Sequence, residues 1–200
     1  ELIVAAIGDA GYAAGRDGVG IALDPAASEF WSDGGYTVNG VRLSSADLVA
    51  RYAGMLDRFP IWSIEDGLGE QDPDGWQQLT AELGDRVQLV GDDNFCTNPA
   101  IITAAIADGI ANAALIKVNQ IGTVTETLEA MRICHAAGYG QMVSHRSGET
   151  PDTFIADLAV ATGCGQIKTG APARGERVAK YNRLVQIEAQ RPGLPYGLGG

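Results

Sequence analysis

Ala114-Leu-Ile-Lys117-Val-Asn-Gln120 is an apolar run with a single lysine set into it. A β-strand here would alternate its side chains between two faces, which puts Lys117 on the same face as Leu115. The ammonium group would then enter the protein interior, where an unpaired charge costs several kcal/mol or loses its proton. Lys117 is therefore either a desolvated base or one member of a buried charge cluster. The alternative is a lysine at a strand end that extends to water.

Composition excludes several classes of protein. Of the 200 residues 46% are hydrophobic, which is enough for a core, and 14 Lys and Arg against 25 Asp and Glu give a formal net charge of -11. This charge disfavours nucleic acid or an anionic membrane as a partner. No apolar run approaches the roughly 20 residues of a membrane span, and the first residues do not show the basic region followed by an apolar one that is expected of a signal peptide. The composition is typical of a cytoplasmic protein.

The three cysteines, Cys96, Cys134 and Cys164, form no Cys-x-x-Cys pair. Their odd number does not suit a disulfide framework, so we expect reduced thiols. The sequence begins without methionine, in what reads as the middle of a helix. We therefore expect a fragment of a longer protein.

Short apolar strands alternate with helices along the chain, apart from a hairpin predicted at 30–43 around Asp33-Gly-Gly35. A polar residue sits at or just past the carboxyl end of each strand, and after the first these residues recur roughly every 23 to 28 positions. The six strands are predicted at 19–23, 61–64, 87–90, 114–120, 141–143 and 165–169. The polar residues are Asp24, Glu65, Asp92, Lys117, His145 and Lys168.

This repeat predicts an α/β fold, a (β/α)8 TIM-type barrel, because such barrels build their active sites at the carboxyl ends of the strands. A doubly wound sheet shares the βα repeat but gathers its ligand at one switch point, so it is disfavoured. About six βα units are visible, which predicts an incomplete barrel over 1–190. A Gly/Pro-rich tail follows at 191–200.

The polar residues divide into two chemical sets. Asp24, Glu65 and Asp92 would repel one another unless a cation neutralised them, and hard oxygen ligands suit Mg²⁺. Lys117 and Lys168 would face each other across that ion, and the positive surroundings favour a neutral amine that can act as a base. Taken singly, each acid could as well be a helix cap or a loop residue.

The segment after the fifth strand predicts an anion site. His145, Arg146 and Ser147 combine a guanidinium and a hydroxyl group, which suit phosphate, and Gly148 allows a close backbone approach. The alternative is an ordinary polar loop. His135 falls within a predicted helix and is expected on its surface. Together the two sets could remove a proton next to a carboxylate, the lysine and magnesium pattern known from the enolase superfamily.

Seven segments, in order and with fitting spacing, closely resemble the enolase family, the glycolytic phosphopyruvate hydratases. They are Ala22–Phe30 (ALDPAASEF), Ser63–Gly67 (SIEDG), Leu89–Asp93 (LVGDD), Leu115–Gly122 (LIKVNQIG), Ser144–Thr150 (SHRSGET), Gly165–Gly170 (GQIKTG) and Arg177–Asn182 (RVAKYN).

The resemblance implies roles for individual residues. Asp24, Glu65 and Asp92 would bind the catalytic Mg²⁺, with Glu65 and Asp92 also near the substrate, and Lys117 would accept the C2 proton of 2-phosphoglycerate. The product would be phosphoenolpyruvate. The substrate-binding residues so implied also include Lys168, which would contact the substrate carboxylate, Arg146 and Ser147, which would hold the phosphate, and Ser144 and His145, which would line the site.

The resemblance also implies what lies outside these residues. Enolases carry an amino-terminal capping domain, a mobile loop and a glutamate general acid, all of which would precede Glu1. We therefore expect the 200 residues alone to be poorly active, and the full-length parent to be a homo-oligomer, a dimer or larger. Enolases are cytoplasmic, with cell-surface display as a secondary location. Asn94, Cys96 and Gly175 depart from the usual family residues, which affects local packing.

Two other interpretations stay open. A dehydratase or racemase of sugar acids would share the carboxylates and the barrel but would not be expected to carry the Ser144–Thr150 segment. A non-catalytic enolase relic or surface-binding module is the other. Magnesium-dependent proton exchange at C2 separates an enzyme from the latter.

Overall fold

A computed structural model describes residues 1–195 and residue 197. The chain forms two compact units: the first contains residues 1–95 and 103–113, and the second contains residues 96–102 and those from 114 onward. Each unit combines helices with parallel strands. The predicted tail at 191–200 lies partly outside the described residues, and 191–195 form turn and coil.

The first unit contains the first helices and strands of the chain. In order they are α1 (Leu2–Asp9), β1 (Ile21–Leu23), a 3-10 turn (Ala27–Phe30), β2 (Trp31–Ser32), β3 (Gly35–Val38), β4 (Val41–Leu43), α2 (Ser45–Leu56), β5 (Ile61–Glu65), α3 (Pro73–Leu83) and β6 (Gln88–Gly91). Strand β5 pairs in parallel with both β1 and β6. The next two elements, α4 (Pro99–Ala107) and β7 (Ala113–Ile116), have residues in both units.

The second unit contains α5 (Val118–Ile121), α6 (Val124–Ala136), β8 (Gly140–Ser144), α7 (Phe154–Thr162), β9 (Ile167–Lys168) and α8 (Gly175–Gln190). Strands β7, β8 and β9 are neighbours in that order. β8 and β9 are parallel, with Ser144 opposite Lys168.

The helix boundaries follow from capping chemistry. Ser44 and Asp47 form a capping box at the start of α2, in which each side chain accepts a hydrogen bond from the other residue's backbone N–H. Asp72 caps α3, with Pro73 in its first turn, and Thr123 caps α6. Capping residues of this kind are the most direct indication of a helix start in a sequence.

The predicted hairpin is confirmed, since β2 and β3 are antiparallel and Asp33 and Gly34 have the positive φ values of a primed turn. The chain then turns again at Asn39 and Gly40, so that β4 adds a third antiparallel strand. In the first unit the largest core side chain is Trp76, whose indole N–H donates to the carbonyl of Leu68 at 3.1 Å.

The strand predicted at 114–120 is shorter in the structure. β7 ends at Ile116, and the next residues turn into the short helix α5. All four residues of β7 are buried, so both faces of the strand are covered. A strand of this kind shows no alternation of apolar and polar residues from which its length could be predicted. Lys117 lies half-buried between strand and helix. None of the helices in the described ranges is long and apolar enough to cross a membrane.

Candidate active site

The predicted carboxylates all belong to the first unit, at the ends of its parallel strands. Glu65 is the last residue of β5, and Asp92 follows β6; both are buried, and Glu65 lies opposite Val90 in the ladder. Asp24 follows β1 and is exposed. Parallel pairing therefore brings the ends that carry these side chains to the same edge of the sheet.

Asp66 organises the loop that carries Asp92. Its carboxylate accepts the backbone N–H groups of Asp92 at 2.8 Å and Asp93 at 2.9 Å, and the side-chain amide of Asn94 at 3.2 Å. Burial raises the pKa of Asp66 above its ordinary value and outweighs these hydrogen bonds, which lower it. Asn94, an unusual residue for the resemblance drawn above, thus contributes a hydrogen bond to this loop.

Gly91 fixes the same loop from the other side. A Cβ at this position would lie 2.6 Å from the ring of Phe95, so no larger residue fits without moving the ring. Phe95 is buried, and its backbone N–H donates to the carbonyl of Asp92 at 3.0 Å. Two interactions therefore hold the backbone of Asp92: the Phe95 ring packs closely against Gly91, and the Asp66 carboxylate accepts the Asp92 N–H.

The donor set fits a hard divalent cation. In the described part of the chain, one oxygen from each of Asp66, Asp92 and Asp93 lies within 4.8 Å of the others. Carboxylate oxygens at such spacing suit Mg²⁺. The Asp66 oxygens already accept three hydrogen bonds, so this residue acts as a brace for the loop, and Asp92 is the member of the group that sequence also predicts as a ligand.

The predicted cationic and hydroxyl side chains all belong to the second unit. Lys117 follows β7, Ser144 ends β8, and Lys168 ends β9, while His145, Arg146 and Ser147 continue directly from β8. The backbone N–H of His145 donates to the carbonyl of Lys168 at 2.9 Å. Strand pairing therefore brings the segment after β8 next to the end of β9.

A buried threonine holds the backbone of Lys117. The Thr97 hydroxyl oxygen accepts the Lys117 N–H at 2.9 Å and lies 3.1 Å from the side-chain oxygen of Gln120. Thr97 is fully buried and, like Cys96 before it, adopts a left-handed backbone with positive φ. This conformation is costly for a β-branched residue, so the loop holds it in place through its contacts.

His145 lies in a strongly positive environment. Burial lowers the pKa of its imidazole, and the charges of Arg177, Lys168 and Lys117 lower it further, while Glu149 opposes them. The guanidinium of Arg177 reaches Nδ1 of the imidazole at 2.5 Å. This concentration of cations can bind an anion that carries more than one negative charge.

Two buried cations of α8 hold the loop after His145. Arg177 donates to the carbonyls of Arg146 at 2.9 Å and Ser147 at 3.1 Å. The fully buried Lys180 donates to the carbonyl of Thr150 and pairs with the carboxylate of Glu149 at 3.4 Å. The predicted phosphate-binding residues thus take their backbone shape from a helix about thirty positions further along the chain.

Sequence reasoning did not assign roles to Asp66, Thr97, Arg177 or Lys180. Arg177 and Lys180 lie in a segment that resembles the family, Arg177–Asn182, and their spacing of three places both on one helix face. This spacing, within a segment that resembles the family, was the sequence signal that could have identified Arg177 and Lys180. His135 is exposed on α6, as predicted.

Comparison with known proteins identifies the fold and the family. Residues 1–193 match the family model described as "Enolase, C-terminal TIM barrel domain", which confirms the predicted barrel class. An enolase of Acidothermus cellulolyticus is 57% identical over 190 residues, which cover 95% of this chain and 44% of that protein. The chain thus spans less than half of that relative's length. On this evidence, and with the strand-end residues described above, the chain belongs to the enolase family as its C-terminal TIM barrel domain.

Proposed function

We propose that this chain provides the catalytic barrel portion of a glycolytic enolase, phosphopyruvate hydratase, a carbon-oxygen lyase. The reaction is the reversible dehydration of 2-phosphoglycerate to phosphoenolpyruvate. The observation that carries the proposal is the group of cations around His145, formed by Lys117, Lys168 and Arg177. A substrate with both a phosphate and a carboxylate requires such a concentration of positive charge.

The roles follow the chemistry of the side chains. Lys117 accepts the proton from C2 at Nζ, and Lys168 binds the substrate carboxylate. Arg146 and Ser147 hold the phosphate, for which a guanidinium fork and a hydroxyl are suited. Ser144 and His145 line the site with hydrogen-bonding groups.

The carboxylates complete the proposed chemistry. Asp24, Glu65 and Asp92 would hold Mg²⁺, as their hard oxygen donors allow. When bound, the ion supplies positive charge for the second negative charge that develops on the substrate carboxylate. The fixed backbone of Asp92 supports this assignment, since a ligand held before binding loses less freedom when the ion arrives.

The parent protein is proposed to be a cytoplasmic homo-oligomer, a dimer or larger. We also propose that residues 1–190 form one part of its catalytic barrel and that 191–200 are a tail. The family match over residues 1–193 covers the whole of the proposed barrel portion and the first three residues of the proposed tail. A capping domain with the general acid would be supplied by the rest of the parent, so dehydration by the 200 residues alone is expected to be slow.

Proton exchange at C2 tests the proposal, because it requires the base and the metal but not the general acid. Deuterium loss from C2-labelled 2-phosphoglycerate should depend on Mg²⁺ and should be abolished in Lys117→Ala. Arg132→Ala is the matched control, since Arg132 is exposed on α6 and pairs only with Glu129 among the described contacts. Absence of exchange from a folded chain would contradict the proposal and favour a non-catalytic binding module.

A further inference from the structure

Arg177 is a buried arginine whose hydrogen-bond donors are directed at one short segment. It lies in α8, and its side chain is 9% exposed. One terminal nitrogen, Nη1, approaches both the His145 Nδ1 atom at 2.5 Å and the Arg146 carbonyl at 2.9 Å, and the other, Nη2, donates to the Ser147 carbonyl at 3.1 Å. The carboxylate of Glu176 lies 3.8 Å from Nε and balances part of the charge.

The chemistry of the two groups fixes where the imidazole proton resides. A guanidinium group has N–H donors and no acceptor, and it does not lose its proton in proteins. A hydrogen bond between it and Nδ1 therefore requires Nδ1 to be the acceptor, with its lone pair free. The proton of a neutral imidazole is then on Nε2.

We propose that Arg177 is a positioning residue that holds His145 as the neutral Nε2–H tautomer, so that the ring offers a single N–H donor. The inference rests on the proposed function for its purpose: a neutral imidazole with a fixed proton donates to an anionic oxygen of the substrate and does not compete with Lys117 for the C2 proton. The assignment of the tautomer itself depends only on the contacts of Arg177.

The surroundings of His145 agree with this assignment. The charges of Arg177, Lys168 and Lys117 disfavour a further positive charge on the ring, and the charge of Glu149 opposes them. The net effect of these charges and of burial disfavours the imidazolium. Gly170 also keeps the ring and the guanidinium close, because a Cβ there would lie 3.2 Å from the His145 ring and 3.1 Å from the Arg177 side chain.

Nitrogen NMR of the histidines tests the proposal directly. The sequence has two histidines, so the spectrum of a chain labelled with ¹⁵N-histidine is simple, and the exposed His135 provides an internal reference. At pH 7 the His145 signals should show a protonated Nε2 and an unprotonated Nδ1. The titration midpoint of His145 should lie below that of a model histidine peptide in the same buffer.

Two variants separate positioning from general stability. Arg177→Met removes both the donor and the charge, and it should mix the two tautomers and raise the His145 midpoint by about one pH unit. Arg183→Met is the matched control, because Arg183 is also in α8 but pairs with Asp157. It should leave the tautomer and the midpoint unchanged.

The outcomes are distinct. A protonated Nδ1 in the unsubstituted chain, or a folded Arg177→Met chain with the tautomer and midpoint unchanged, would overturn the proposal. If Arg177→Met does not fold, the tautomer of the unsubstituted chain decides alone. A neutral Nε2–H tautomer in a chain that shows no C2 exchange would retain the positioning role and reject the proposed function.

Discussion

The hydroxyl oxygen of Thr97 accepts the backbone N–H of Lys117 at 2.9 Å, so a buried side chain holds the residue proposed as the base. Thr97→Val keeps the shape of the side chain but leaves that N–H without its acceptor. We expect a loss of about 1–3 kcal/mol in the free energy of unfolding, measured by urea denaturation. C2 exchange should fall with it.

Thr97→Ser is the matched control, because it retains the hydroxyl group. It should recover most of the stability and most of the exchange. Equal stability of Thr97→Val and the unsubstituted chain would show that the hydrogen bond contributes nothing to stability, and equal exchange would show the same for the proposed base.

Asp66 should control metal binding without being a ligand. Asp66→Asn replaces one of the oxygens that accept the N–H groups of Asp92 and Asp93, so one of them loses its partner. We expect a loss of about 1–3 kcal/mol in stability and a smaller rise of the melting temperature on addition of Mg²⁺. Asp85→Asn, at an exposed position after α3, should change neither. A full magnesium response in Asp66→Asn would contradict the bracing role.

Glu149 should make the stability of the chain depend on acid pH. Burial alone would raise the pKa of Glu149, but the N–H groups of Thr150 and Arg146 and the charge of Lys180 outweigh it, and the net effect lowers the pKa. A lowered pKa in the folded state gives stability that is present above the ordinary glutamate pKa of about 4.3 and is lost as the pH falls through the folded-state value.

Glu149→Gln should therefore flatten the acid limb of a plot of unfolding free energy against pH. It should also cost on the order of 3 kcal/mol at neutral pH, because it leaves the buried Lys180 without its carboxylate. Glu82→Gln, an exposed substitution on α3, is the reference. An acid limb in Glu149→Gln as steep as that of the reference would refute this assignment.

Gly170 should tolerate no side chain. Its φ of +87° is unfavourable for L-residues, and an added Cβ would press on both Arg177 and His145. Gly170→Ala is expected to lose more stability than the left-handed backbone alone costs, which is about 1–2 kcal/mol. Gly138→Ala measures that backbone cost by itself, since Gly138 has a φ of +73° and no atom within 4 Å of an added Cβ. Equal thermal unfolding of the two variants would show that the contacts at Gly170 are unimportant.

The features that local sequence predicts well are the alternation of strands and helices and the hairpin at Asp33. Each depends on residues within a few positions of one another. The strand at Lys117 was predicted too long for two reasons. A strand buried on both faces lacks the alternation of apolar and polar residues that would mark its end, and the helical turn α5 that follows contains apolar residues like those of the strand.

The positions of the candidate site residues at the strand ends could also be predicted, because the βα repeat sets them. The supporting residues could not. Arg177 reads as an ordinary polar position of a surface helix, yet it is buried against a loop about thirty residues earlier. In the sequence Asp66 is simply a second acidic residue after Glu65. Its role as an acceptor for the loop after β6 is visible only in the folded chain, where the Asp92 N–H donates to it. Such contacts depend on tertiary packing: the spacing of Arg177 and Lys180 indicates a shared helix face but not which loop that face contacts.

The clamp that α8 places on the segment from Arg146 to Thr150 has a consequence for synthesis. That segment is synthesised about thirty residues before Arg177 and Lys180, so it is complete before the side chains that hold it exist. Until α8 has been made, the carbonyls of the loop lack the donors that hold them in the folded chain, and the loop acquires its final shape only once the helix behind it is present. A chain truncated before α8 should show rapid amide hydrogen exchange at Arg146 and Thr150, whose N–H groups donate to Glu149 in the folded chain.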